Sequence, residues 1–130
     1  MKCAEYKIAK SFKEVINDGG KNLYEIFVIG KNGYAPKRLL CKMRLNMSWD
    51  TDVITITPFD KFGRVIYGWQ YPYRIPISSN VDTKSDIIES NNVYSLSRDK
   101  AYQHCMQVLR NEAQKLRKKQ IQIHDLIYKI

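Results

Sequence analysis

The sequence predicts an α+β fold: an antiparallel β-meander sheet of four to five strands packed on a long C-terminal α-helix, with a short N-terminal helix. Three observations carry this expectation. Between residues 22 and 71, β-prone runs alternate with short turn-forming stretches, as a meander requires. Ser11 followed by Glu14 marks a helix start upstream of them. From the Ser95–Ser97 region onward, apolar residues recur at helical spacing.

Ala4, Tyr6 and Ile8 alternate with Glu5 and Lys7, the pattern of a short strand. Ser11 and Glu14 then form a capping box, and Phe12, Val15 and Ile16 share one helical face. Asp18-Gly19-Gly20 ends that helix after about two turns. A single longer helix over residues 4–17 fits the same apolar spacing. Residues 22–31 form a near-continuous β-prone run, the mark of a central strand, and lead to Asn32-Gly33. That dipeptide tolerates positive φ at both positions of a type I′ hairpin turn.

The return strand alternates most clearly. Leu39, Cys41, Met43, Leu45 and Met47 take one face; Arg38, Leu40, Lys42, Arg44 and Asn46 take the other. Pro36 places its start at a sheet edge or delays its joining the sheet. Residues 49–52 turn, residues 53–57 form the next strand, and Asp60-Lys61-Phe62-Gly63 leads into an aromatic strand at 64–71. There Tyr67, Trp69, Tyr71 and Tyr73 fall on alternate positions, either as core or as a platform for flat ligands. The alternate face (Arg64, Ile66, Gly68, Gln70) reads as the more exposed one, which favours burial of Tyr67 and Trp69. Pro72 leaves Tyr73 and Arg74 at an edge, where they are candidates for stacking on a base. Residues 78–92, rich in Ser, Asn and Asp, read as a surface loop anchored by Ile87 and Ile88. Ser95 or Ser97 caps the long helix, with Ala101, Cys105, Val108, Leu109, Leu116, Ile123 and Ile127 as its apolar stripe. A break near Lys118-Lys119-Gln120 is an alternative. No repeat or linker appears, so residues 1–130 are read as one domain.

The chain carries net charge +9 and a pI near 9.5. Residues 1–49 hold ten Lys/Arg against four Asp/Glu; residues 50–97 hold four against six; residues 98–130 hold eight against three. Two basic segments therefore flank a slightly acidic middle, which favours polyanionic partners. A hydrophobic fraction of 44% excludes disorder. Three cysteines with no C-x-x-C suit a reducing compartment, and the expected location is cytoplasmic. No apolar run approaches the ~18–20 residues of a membrane span, so no membrane partner is expected.

Two basic surfaces carry the functional reading. On the C-terminal helix, Lys100, Gln103, Gln107, Arg110, Asn111, Gln114, Arg117 and Lys118 collect opposite the apolar stripe. Arg, Lys, Gln and Asn are side chains that reach phosphates and base edges; a plain solvated face has the same composition. On the return strand, Arg38, Lys42 and Arg44 form a basic β-ribbon; cations that merely protect a sheet edge would look alike. The expected function is a small non-catalytic nucleic-acid-binding protein. Arg38, Lys42, Arg44, Arg110, Gln114, Arg117 and Lys118 would hold the DNA or RNA phosphate backbone, with Tyr73 and Arg74 nearby. The alternative is an interaction or assembly protein, such as a virion subunit or a small inhibitor, that meets an acidic protein surface or another copy of itself. Its helix and apolar tail (Ile121, Ile123, Leu126, Ile127, Ile130) would do the docking.

No cofactor and no metal are expected: Cys3, Cys41, Cys105, His104 and His124 lack ligand spacing. Asp50, Asp52 and Asp60 offer carboxylates for Mg²⁺, yet Asp is ordinary in turns. With no phosphate-cradling glycine loop and no nucleophile motif, no enzyme is expected.

Overall fold

The structure, a computed structural model, describes residues 2–30, 35–78 and 81–128. The alternation in the return strand organises everything around it. That strand, β2 (Lys37–Asn46), pairs with β1 (Tyr24–Ile29) on one side and β3 (Val53–Phe59) on the other. β4 (Tyr73–Pro76) closes one end of the sheet; β5 (Ile87–Glu89) and β6 (Val93–Ser95) close the other. The order is β4-β3-β2-β1-β6-β5, with antiparallel pairing throughout. The fold is the α+β arrangement the sequence predicts, with six strands. The Asn32-Gly33 turn lies outside the described residues.

The period of two splits the sheet into two faces. On the first, Ile26, Leu39, Cys41, Met43, Ile54, Ile56, Ile75 and Tyr94 make the main core. The short helix α1 (Phe12–Asn17) covers it with Phe12 and Val15, both almost fully buried. Each such side chain contributes roughly 1.5–3 kcal/mol of burial. Ser11 caps α1 as its spacing predicts: its Oγ accepts from the Glu14 N–H at 3.3 Å. Glu14 reaches back to the N–H of Lys10, at 3.1 Å. On the second face, Phe27, Ile29 and Val93 receive Ala101 and Cys105 of the long helix α2 (Arg98–Tyr128). Ser97 caps α2, its Oγ accepting from the Lys100 N–H at 3.3 Å.

Four elements differ from expectation. Residues 4–8 form no strand beyond a parallel bridge from Lys7 to Tyr24. The Ser/Asn/Asp-rich stretch, residues 78–92, contains β5 and the turn into β6, where Tyr94 is fully buried. α2 runs without a break through residues 118–120, and only its first turns pack; every described residue from Leu109 onward is exposed.

The aromatic segment is the fourth. β3 has one free edge, and two pieces of this segment occupy it: Val65 and Ile66 against Phe59 and Pro58, then β4 against residues 53–56. Residues 67–72 are an excursion between the two. A turn closes it, with the Tyr71 N–H donating to the Gly68 carbonyl at 3.1 Å, and Pro72 has no N–H to offer a ladder. Tyr67 and Trp69, expected in the core, are 88% and 99% exposed.

Candidate nucleic-acid interface

The second face of the sheet is covered in two places. α2 rests on β1 and β6. The N-terminal segment crosses the row Glu25–Leu40–Phe59: Lys7 bonds Leu23 and Glu25, Tyr6 lies against Arg38, and the Ala4 N–H donates to Lys61 at 2.7 Å. Leu40 is buried there. Beyond that row the face is open.

Register determines what the open part presents. Lys42 stands opposite Thr57, Arg44 opposite Thr55, and Thr55 opposite Arg74. Asn46 follows, opposite Val53, and its amide donates to Thr55 Oγ1 at 3.0 Å. Arg44 and Arg74 are exposed, and Lys42 is half-buried with its ammonium 5.1 Å from the Phe59 ring. Among the described residues, no carboxylate forms an ion pair with any of these three cations. The patch is thus a short grid of fixed positive charge with hydroxyl and amide groups between. Both kinds of group bond phosphate and sugar oxygens.

Each predicted site residue has a definite place. Lys42, Arg44 and Arg74 come together on the open patch. Arg38 lies on the same face but is committed: its Nε donates to Glu25 Oε2 at 2.5 Å and its guanidinium stands over Tyr6. The Glu25 carboxylate holds the guanidinium pKa above its ordinary value. Tyr73 points to the opposite face, beside Ile56, and packs edge-on against Tyr71 and Tyr94 at 5.2 and 5.9 Å. Burial raises its hydroxyl pKa, and the ring is not offered to a base. Tyr71 accepts from the Lys37 ammonium, which lowers its pKa. Arg110, Gln114, Arg117 and Lys118 sit on the exposed stretch of α2.

Two sequence-level readings of the ribbon change. β2 is not an outermost strand: it pairs with β1 over residues 37–41 and with β3 over residues 40–46, so Arg38 lies where β2 pairs with β1, whereas Lys42 and Arg44 lie where it pairs with β3 alone. β4 widens the ribbon to three strands, about 10 Å between outer backbones before side chains are added. That leaves no room in a major groove about 12 Å wide.

Sequence reasoning missed Trp49, Thr55 and Thr57. The alternation of Ile54 and Ile56 with Thr55 and Thr57 was the available signal for the threonines. Trp49 lies in the β2–β3 turn, three residues beyond Asn46, and is fully exposed at 102%. Ser48 braces that turn, its Oγ donating to the Thr51 carbonyl at 2.6 Å. Asp50 and Asp52 lie in the same turn. Asp60, at the other end of β3, accepts from the backbone N–H groups of Phe62 and Arg64 and pairs with the Arg64 side chain. These bonds, the Arg64 N–H first, hold its carboxyl below the usual range. Among the described residues no three His, Cys, Asp or Glu side chains converge, and no helix is long and apolar enough to cross a membrane.

Comparison with protein-family models, with curated proteins and with solved structures finds no match.

Proposed function

We propose that this protein binds single-stranded nucleic acid through the open sheet face, without catalysing a reaction. The observation that carries the reading is the row Arg44–Thr55–Arg74 beside Lys42–Thr57, unpaired with acid among the described residues and bordered by Trp49. Phosphates lie against the cations, and an unstacked base lies on the Trp49 ring. A single strand suits this face because its bases are free to leave the stack, whereas a duplex would meet a sheet too wide for its groove. The net charge of +9 draws the strand to the protein and the patch orients it.

The test is a binding panel of single-stranded DNA, single-stranded RNA and duplex, each at low and at high salt. Single strands should bind more tightly than duplex, with affinity falling steeply as salt rises. Affinity indifferent to salt, or no binding to either single strand, rejects the reading.

A further inference from the structure

We propose that two copies of this chain associate through α2 as a parallel, in-register, two-stranded coiled coil running from Tyr102 to Ile127. From Leu109 onward the helix is exposed on every side, yet it is not polar on every side. Tyr102, Leu109, Leu116 and Ile123 fall seven residues apart; Met106, Ala113, Gln120 and Ile127 fall seven apart, four residues after them. Together they make a seam of period 3.5, the repeat that winds helices around one another, and not the 3.6 of a helix lying on a sheet. All of the seam's large apolar side chains are exposed, from Tyr102 at 44% to Ile127 at 62%.

The seam is separate from the surface that holds α2 on the sheet. Ala101 and Cys105 do that work, and at ~100° per residue the seam lies about a quarter turn from them. Attachment to the sheet therefore leaves it uncovered. An isolated helix projecting with an apolar stripe is marginal in water, so a partner for the stripe stabilises the helix itself.

Charge and polarity select a second copy as that partner, and a parallel one. In a parallel in-register pair, Glu112 flanks the seam opposite Arg117 of the other copy, so each side of the dimer gains an ion pair. Antiparallel pairing about the middle of the helix instead brings Arg110 toward Arg117 of the other copy, and this meeting of like charges cancels the gain from Glu112 beside Lys119. Gln120 is the one amide in the seam. Only in the parallel in-register arrangement does it face its own counterpart, where the two amides bond each other; any shift sets it against an apolar side chain. Leucine at 109 and 116 on one seam line, with a single polar residue, Gln120, on the other, is a combination that two-stranded coils use. Arg117 then serves the dimer, and the nucleic-acid patch is left to the sheet; neither inference depends on the other.

Sedimentation velocity of the full chain, run from about 1 to about 100 µM, tests this, because a dimer must dissociate on dilution. The wild type should sediment as a dimer, Leu116→Glu as a monomer, and Lys118→Glu, which points away from the seam, as the wild type does. In a Cys3→Ser background, Gln120→Cys should oxidise to a covalent dimer, since Cys41 and Cys105 are buried. A wild type that is monomeric throughout, or a Leu116→Glu variant that remains dimeric, overturns the proposal. A trimer overturns the two-stranded form. A dimer in which Gln120→Cys fails to cross-link overturns the parallel register.

Discussion

Arg44 on β2 and Arg74 on β4 share one cross-strand neighbour, Thr55, on the part of the sheet's second face that α2 leaves open. Their backbones stand two strand spacings apart, about 10 Å. That is close to one Debye length at 0.1 M salt, so their fields overlap, and the cost of placing them together is offset when an anion sits between. Arg44→Ala and Arg74→Ala should each reduce the salt slope of single-strand binding, d log K/d log[salt], by about 0.7. The double variant should lose about 1.4. An Arg110→Ala variant should leave the slope unchanged. Fluorescence titration at several salt concentrations reads all of these; equal slopes in wild type and double variant would count against the patch.

The two tryptophans should behave differently. Trp49 and Trp69 are both almost fully exposed, so neither substitution by alanine should shift stability by more than about 0.5 kcal/mol. Trp49→Ala should weaken single-strand binding by about 1–3 kcal/mol, the scale of one base–aromatic stack. Trp69 lies in the 67–72 excursion and not in the turn beyond Asn46, and its replacement should leave affinity alone. Chemical denaturation and binding isotherms of the two variants separate these outcomes.

Gly20 links the backbone to the patch. It has φ +80, and a Cβ there would meet the Arg44 Nε at 2.9 Å. Gly19 has φ +68 with nothing within 4 Å. Alanine at either position should cost about 1–2 kcal/mol of stability for the left-handed backbone. Only Gly20→Ala should also weaken nucleic-acid binding, because only there must the guanidinium move. Equal binding by the two variants would show that Arg44 is not held in place from below.

Alkaline pH should destabilise the fold. Burial pushes the Cys41 thiol from 9.0 up to about 12. Below pH 9.0 the thiol is neutral in both folded and unfolded chains and its contribution is intact. Between pH 9.0 and about 12 the unfolded chain releases the proton while the folded one keeps it, so stability falls as pH rises. The decline attributable to one such group is about 1.4 kcal/mol per pH unit. Tyr73, Tyr94 and Tyr24, each raised by burial, add in the same direction at higher pH. Urea denaturation across this range should show Cys41→Ala losing less stability than wild type above pH 9.0.

Local chemistry was legible wherever an element needs only its own residues. Ser11 and Glu14 cap α1, Ser97, one of two candidate serines, caps α2, and the alternation of 37–46 runs along β2. Sequence reasoning failed where elements compete for partners. Residues 64–71 alternate as well as any strand here, but the edge of β3 was already occupied by residues on either side of the excursion. β5 and β6 have three residues each, too few for a period to show against their polar surroundings.

The basic patch is a related case. Arg38, Lys42 and Arg44 follow from the alternation of β2, but Arg38 is bound to Glu25 and Arg74 arrives from a strand thirty residues away by number. Register brings cations together across strands, and register is a property of pairing that no single strand contains.

Taken alone, the sequence determined the α+β class, the cap of α1, the faces of β2 and the net charge, because each depends on neighbours along the chain. Only the tertiary structure decided which cations are free, which aromatics are exposed, and where α2 stops touching the sheet. Those outcomes depend on a finite supply of strand edges and sheet surface. β3 has one edge to give, and β1 and β6 cover only the first turns of α2, so the rest of both segments is left to solvent or to a partner.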